Sequence, residues 1–213
     1  MSLLVLGASG RTGKHIVDQA LSRGHHVTAL VRNPNSMQAQ DGLTVIKGTP
    51  TNPADLAAAE QGKNAILVAL NNPRQSDAPW AKPITTEKIL TTVAENIIAL
   101  GKKRVVFLSA AGVGDSFETA PWFMRFMIKR TNLGYAYADH NSVEQAFRAS
   151  DASWTLVRAM GLSNSEKEKA LIVGTATTPK PGMMVRRSAV AKFMLDCVEN
   201  DSHVGQTPVV SER

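Results

Sequence analysis

Three glycines near the N-terminus stand at a spacing that could hold a diphosphate. Gly7, Gly10 and Gly13 occur in the segment VLGASGRTG, between an apolar run at residues 3–6 and a helical pattern at residues 11–22. In such a turn the first glycine lets the chain leave the strand sharply. The second lets the backbone approach a phosphate, and the third lets helix and sheet pack closely. Because a helix N-terminus adds unpaired N–H groups and a partial positive charge, the segment predicts a dinucleotide-binding turn.

A phosphate loop of the nucleoside-triphosphatase type is the nearest alternative, since Lys14 follows Gly13. That motif needs four residues between its two glycines and a Ser or Thr after its lysine. Here five residues separate Gly7 from Gly13, and His15 stands in the place of the hydroxyl residue. The spacing therefore favours a dinucleotide over a nucleoside triphosphate.

The end of the second predicted strand bears on which dinucleotide binds. NAD sites usually carry an acidic residue there, which holds the ribose 2′-hydroxyl. In this chain the strand ends LVRNP, so Arg32 occupies that region with no Asp or Glu beside it. A guanidinium matches a phosphate by charge and by its planar set of donors, and Arg11 could add a second contact. The sequence predicts NADP(H) in preference to NAD(H).

Strand and helix patterns alternate along the chain, which predicts an α/β fold with a doubly wound, Rossmann-type parallel sheet and helices on both faces. The 213 residues fit a single domain spanning 1–213. Strands are predicted over residues 3–6, 27–31, 43–46, 65–70, 104–108, 154–157 and 208–210. Helices are predicted over residues 11–22, 55–60, 85–100, 140–149 and 187–198, with a short amphipathic helix within 110–133.

Composition argues against several other classes of protein. The net charge is +6, but the basic residues are scattered, and no nucleic-acid-binding motif is present. No apolar run approaches the roughly 20 residues of a membrane helix. The five histidines show no metal-ligand spacing with cysteine or carboxylates, so no metal is expected. A single cysteine, Cys197, fits a cytoplasmic protein, and we expect a monomer or a small homo-oligomer.

Four segments, GASGRTG, LVRNP, VVFLSAAGV and DHNSVEQAFRASDASWTLVRAMGL, resemble the atypical short-chain dehydrogenase/reductases. Within them the chain is most similar to the NAD(P)-binding proteins grouped with NmrA-like regulators and with flavin reductase (biliverdin reductase B). The resemblance covers nearly the whole chain and implies that Ser109 lies near the nicotinamide. It implies cofactor contacts from Gly7, Ser9, Gly10, Arg11, Thr12, Gly13, Arg32, Ala69, Leu70 and Ser109.

Two departures from the family pattern affect the expected chemistry. Thr49 stands where relatives often carry an Asp near adenine, and we expect it to contact the cofactor by its hydroxyl. The usual Tyr-x-x-x-Lys pair, in which lysine lowers the pKa of the tyrosine, is absent. Tyr135 and Tyr137 have no lysine four residues on, while His140 takes the place of the lysine and Ala136 that of the tyrosine.

The missing pair argues against ordinary ketone or alcohol chemistry, which needs a proton delivered to an alkoxide. It permits hydride transfer to flavins or quinones, because those rings spread the incoming charge and solvent can supply the proton. Ser109 and His140 are the candidate catalytic residues, with His140 as a proton or hydrogen-bond donor. Residues of three segments, 71–83, 110–140 and 159–186, would form an acceptor pocket. The candidate residues for its walls are Trp80, Trp122 and Phe123.

The sequence favours an NADPH-dependent reductase of a small conjugated acceptor such as a flavin (FMN or FAD) or a quinone. Two alternatives stay open. A non-catalytic, NmrA-like NADP(H) sensor would explain the missing pair, and a nucleoside-diphosphate-sugar epimerase-like enzyme is weakened by the short chain.

Overall fold

One continuous sheet organises the chain. The structure is a computed structural model that describes residues 1–76 and 78–213, and within them the sheet has ten strands. The strands are β1 Ser2–Leu6, β2 His26–Val31, β3 Leu43–Lys47, β4 Ala65–Val68, β5 Arg104–Ala110, β6 Ser153–Ala159, β7 Gly161–Ser163, β8 Leu171–Gly174, β9 Met184–Arg186 and β10 Val209–Glu212. The helices are α1 Arg11–Ser22, α2 Pro53–Glu60, α3 Ile89–Ala99, α4 Ser116–Thr119, α5 Trp122–Arg130, α6 Leu133–Arg148 and α7 Arg187–Glu199, with a short 3₁₀ turn at Pro34–Ser36.

The strand order is β3-β2-β1-β4-β5-β6-β10-β9-β7, with β8 paired to β10. The seven strands from β3 to β10 are parallel to one another, and β8 and β9 run antiparallel to β10. The order of the first six is that of a Rossmann fold, and the order reverses between β1 and β4. The predicted doubly wound α/β fold is confirmed.

Alternate side chains of β1 pack into two separate hydrophobic cores, one on each face of the sheet. Leu3 and Val5 pack with α1 and α7, whereas Leu4 and Leu6 pack with α2, α3 and α6. Because both faces are covered, β1 is a continuous apolar run rather than an alternating one. This arrangement brings the carboxyl ends of the parallel strands to one edge of the sheet. Among the described residues, every helix is too short or too polar to span a lipid bilayer.

Several predicted boundaries differ from the structure. The helix predicted from residue 85 begins at Ile89, and the helix predicted from residue 140 begins at Leu133. The short strands β7, β8 and β9 were not predicted, because each is stabilised by pairing with a remote segment, as β8 is with β10. The early start of α6 matters most, since it places Tyr135, Tyr137 and His140 on one helix.

Candidate functional site

A cleft runs along the carboxyl edge of the sheet over the glycine turn. It consists of two adjoining cavities of about 540 and 420 Å³, and both are lined by Gly7, Ser9, Arg32 and Leu70. The larger cavity extends toward β3 and is called the β3 end here. The other extends toward β5 and α6 and is called the β5 end. Ligands of open parallel sheets bind at this edge, where the strand order reverses.

The glycine turn has the backbone geometry that its sequence predicts. Gly7 has φ +84°, and a Cβ at this position would lie 2.5 Å from the carbonyl oxygen of Ala69. A Cβ on Gly13 would collide with the Gly7 carbonyl oxygen, so helix and strand pack as closely as backbone allows. Gly10 precedes α1 and has no side chain to cap it, and Gly10, Arg11 and Thr12 line the cleft at the N-terminus of this helix.

Two cations line the β3 end of the cleft. Arg32 follows β2 and is exposed, and Lys47 ends the neighbouring strand β3. Asp55 lines the same cavity and accepts the backbone N–H of Thr49 at 2.9 Å. The Thr49 hydroxyl lies 2.8 Å from that of Thr51. Thr49 therefore lines the cleft while its own polar groups bond to neighbours. Sequence reasoning missed Lys47, which could have been found as a basic residue at a strand's carboxyl end.

Ser109 lies at the β5 end, where β5 reaches the cleft. It is buried, and its hydroxyl donates to Oε1 of Glu144 at 3.3 Å. Glu144 in turn accepts two hydrogen bonds from Arg158, with Nε–Oε1 at 2.9 Å and Nη2–Oε2 at 2.7 Å. A bidentate pair of this kind fixes the carboxylate, so Glu144 holds the Ser109 hydroxyl in one orientation. Ala69 and Leu70 line the same end from the chain after β4.

His140 lies on α6 and faces the β5 end. Its side chain is buried, and its Nδ1 atom has no hydrogen-bond partner among the described residues. Burial lowers the pKa of His140 to about 4, and the nearby Asp139 and Glu144 oppose this shift only in part. At neutral pH the ring is therefore uncharged, so it can donate or accept a hydrogen bond but is not an imidazolium acid. Of the two roles predicted for His140 from the sequence, the neutral ring fits that of a hydrogen-bond donor and not that of a charged proton donor.

Tyr137 lies one helical turn before His140 and lines the same end. Its hydroxyl donates to the Ala111 carbonyl oxygen at 3.2 Å, and burial raises the pKa of Tyr137 to about 12. The phenol thus keeps its proton at physiological pH. Ala136, at the family's tyrosine position, also faces the cleft, whereas Tyr135 is exposed. The site has no proton donor where the family's tyrosine stands.

The aromatic residues predicted to bind an acceptor lie elsewhere. Trp80, Trp122 and Phe123 are 68%, 74% and 41% exposed and line neither cavity of the cleft. Trp122 and Phe123 open α5, a helix without a buried residue, and Trp80 lies on a surface loop. The structure thus places these three side chains outside the cleft, and their contact with an acceptor stays a prediction. Of the predicted pocket segment 71–83, residues such as Arg74 line the cleft, and Asp77 is outside the described residues.

Comparison with known proteins bears on what this cleft binds. A family model described as NAD(P)H-binding matches residues 7–201. The chain belongs to this NAD(P)H-binding family. Photosystem II assembly factor Ycf39 from Synechocystis sp. is 25% identical over 221 residues, which cover 100% of this chain and 63% of that protein. YwnB, an uncharacterized protein from Bacillus subtilis, is 49% identical over 41 residues, or 19% of each chain. The chain spans less than two thirds of the length of the curated relatives it matches.

Solved structures share the fold over their whole length. ChuY from Escherichia coli O157:H7, named an anaerobilin reductase, has a TM-score of 0.79 and 19% identity, covering 100% of this chain and 97% of that one. A short-chain dehydrogenase/reductase from Veillonella parvula, solved in complex with NADP, has a TM-score of 0.77 and 18% identity, covering 99% and 94%. These structures confirm the predicted Rossmann-type fold, and the family model confirms that the chain belongs to an NAD(P)H-binding family.

Proposed function

We propose that the chain is an NADPH-dependent reductase that transfers hydride to a small conjugated acceptor, such as a quinone or a flavin. The observation that carries this proposal is the continuous cleft from the cations of the β3 end, across the open N-terminus of α1, to Ser109 and His140 at the β5 end. A dinucleotide laid along it would have its adenosine at the β3 end and its nicotinamide at the β5 end. We refer to the β5 end as the nicotinamide end from here on.

Charge at the β3 end supports a preference for NADP(H). Arg32 and Lys47 present two positive charges and many N–H donors, against the single carboxylate of Asp55, which already accepts a hydrogen bond from Thr49. A 2′-phosphate would gain charge-assisted hydrogen bonds that a 2′-hydroxyl cannot form.

The neutral side chains of Tyr137 and His140 at the nicotinamide end support the acceptor class. A bound NADPH would supply hydride to the acceptor ring and leave as NADP⁺, and the reduced ring would take one proton from water, which completes a two-electron reduction. Quinones and flavins tolerate this route because they delocalise the negative charge. The chain would contribute position, with the Ser109 hydroxyl and the neutral His140 ring as hydrogen-bonding groups. A cytoplasmic location and a monomeric or small homo-oligomeric state stay predictions.

The test is NADPH oxidation by the purified chain with a panel of quinones and flavins, in wild type and in Arg32→Glu. We expect acceptor-dependent oxidation, with KM for NADPH raised tenfold or more in Arg32→Glu and KM for NADH little changed, since a charged hydrogen bond contributes about 1.5–3 kcal/mol. Arg130→Glu, at an exposed position on α5 outside the cleft, is the matched control. Failure of every acceptor to stimulate oxidation would refute the reductase, and an unchanged NADPH/NADH ratio would refute the role of Arg32.

A non-catalytic NADP(H) sensor is the second candidate, and Ala136 at the family's tyrosine position favours it. A sensor needs different affinities for NADP⁺ and NADPH, because equal affinities leave no free energy to shift a conformational equilibrium. Calorimetric titration with both forms, together with the turnover assay, separates the two candidates.

A further inference from the structure

A second pocket, of about 270 Å³, lies beside the cleft and takes no part in the cofactor contacts proposed above. Its walls are mostly apolar, and three methionines, Met124, Met160 and Met183, contribute to them. Methionine side chains adapt their shape and make favourable contacts with the edges of rings. The rest of the lining includes Ala111, Gly112, Ser116, Thr119 and Lys180.

This methionine pocket adjoins the nicotinamide end. Ala110 lines the cleft and the next residue, Ala111, lines the pocket. Tyr137 lines the cleft and contacts two residues of the pocket wall: its hydroxyl bonds to the Ala111 carbonyl, and its ring lies 3.2 Å from where a Cβ on Gly112 would be. A flat molecule that extends from the pocket past Ala111 would therefore meet the group that the cofactor presents at the nicotinamide end, as hydride transfer requires.

Most polar groups in the pocket wall are already used. The Ser116 hydroxyl donates to the Val113 carbonyl at 2.6 Å and accepts the Gly112 N–H at 2.9 Å. The Thr119 hydroxyl donates to the Ser116 carbonyl at 3.2 Å. Lys180 is the one charged side chain in the described lining. It forms no ion pair with any carboxylate that the structure describes, so its charge is available to a ligand.

We propose that the methionine pocket binds the acceptor, and that Lys180 selects acceptors that carry an anionic substituent on a flat apolar ring. The proposal rests on the proposed reductase function and names its substrate class. At about 270 Å³ the pocket is near the lower end of the range for small-molecule sites, about 300–1,000 Å³, which favours a two-ring compound over a whole flavin nucleotide.

The experiment compares a naphthoquinone sulfonate with the same naphthoquinone lacking the sulfonate. In Lys180→Met we expect KM for the sulfonate to rise about fivefold and KM for the neutral quinone to stay within about twofold, as for one partly exposed ion pair. Lys180→Glu should raise KM for the sulfonate further. Lys102→Met removes the same charge at an exposed turn on the opposite edge of the sheet, and should change neither KM.

A second variant tests the pocket itself. Met124→Trp places a larger side chain in the pocket wall and should raise KM for both quinones without changing the Kd of NADPH. Calorimetric titration of each variant with the sulfonate, with and without NADP⁺, reports binding independently of turnover.

The outcomes separate the two proposals. If neither quinone is reduced but the sulfonate binds and Lys180→Met weakens it, the reductase function is refuted while the anionic-ring site stands. If both quinones are reduced and Lys180→Met and Met124→Trp leave both KM values unchanged, the methionine pocket is not the acceptor site and the reductase function stands. Equal effects of Lys180→Met on the two quinones would overturn the charge selection.

Discussion

At the scale of single residues, burial shifts the pKa values of Tyr137 and His140 in opposite directions, and both shifts favour a neutral side chain. It raises the pKa of Tyr137 to about 12 and lowers that of His140 to about 4. Burial disfavours whichever form carries the charge, so both side chains are neutral at physiological pH. At the β5 end these two side chains therefore offer hydrogen-bonding groups rather than charges, and the charged groups of this cavity are arginines such as Arg74. Chemistry that needs a strong acid at this point is disfavoured, and acceptors that take their proton from water are favoured.

The shifted pKa of His140 predicts a pH dependence of stability. The unfolded chain binds a proton at this residue below about pH 6.5, whereas the folded chain does so only near pH 4. Its stabilising contribution is complete above pH 6.5 and is lost as the pH falls toward 4, because protons then favour the unfolded state. Between about pH 7.5 and pH 5 we expect wild type to lose roughly 2 kcal/mol of unfolding free energy that His140→Gln does not lose.

Urea denaturation of both proteins at the two pH values measures this difference. His26→Gln, a change at the exposed first residue of β2, controls for the general effect of replacing a histidine. Parallel pH dependences in wild type and His140→Gln would show that His140 is not buried in its neutral form.

At the scale of secondary-structure elements, α6 determines where α3 begins. The residue before α3, Lys88, provides no side-chain cap. Instead the buried carboxylate of Asp139, on α6, accepts the N–H groups of Leu90 and Thr91, each at 2.9 Å, together with the Thr91 hydroxyl. A carboxylate at a helix N-terminus satisfies unpaired donors and interacts favourably with the helix dipole. Asp139, adjacent to His140, is therefore a structural residue that joins two helices on one face of the sheet.

Removing the Asp139 carboxylate should lower the stability of the fold. We expect Asp139→Ala to lower the unfolding free energy by roughly 2–3 kcal/mol, because two buried N–H groups lose their acceptor. Asp139→Asn keeps a side-chain oxygen and should lose less. Chemical denaturation measures both, and amide hydrogen exchange at Leu90 and Thr91 should accelerate more than exchange in α1. A change in Asp139→Ala below about 0.5 kcal/mol would contradict the cap.

At the scale of the whole molecule, the cleft lies where the two cores meet the sheet edge. A bound dinucleotide would contact β2, β5 and α6 together with the segments that follow β1 and β4. A ligand that binds only this assembled state stabilises all of it. The net charge of +6 also favours anionic ligands over neutral ones at long range.

Thermal denaturation should show this linkage. With NADPH at about 100 times its Kd we expect a stabilisation of about 2.7 kcal/mol, or a rise in Tm of roughly 5–10 °C for a chain of this size. NADH at the same concentration should raise Tm less, and Arg32→Glu should reduce the rise with NADPH. Equal shifts with the two cofactors in wild type would contradict the assignment of Arg32 and Lys47 to a 2′-phosphate.

Local signals in the sequence determined the elements nearest the glycine turn. The predicted span of α1 agrees with the structure at both ends. Gly24, with φ +77°, ends the helix by donating its N–H to the Leu21 carbonyl, while His25 donates to that of Ala20. These signals, like the glycines of the turn, lie within a few residues of the features they specify, because backbone preference is a local property. The Rossmann fold class followed from the same alternation of local patterns.

Features that depend on contacts between segments distant in sequence were decided by the tertiary structure alone. It placed Lys47 beside Arg32 and Lys180 in the methionine pocket, and it left Trp122 at the surface. Neither the start of α3 nor the neutral state of His140 could be predicted from neighbouring residues. The start of α3 depends on a carboxylate 49 positions from Leu90, and the neutral state of His140 depends on its burial. Backbone preference is encoded within one turn or strand. Burial, charge pairing and the pKa shifts that follow from them are properties of the assembled chain.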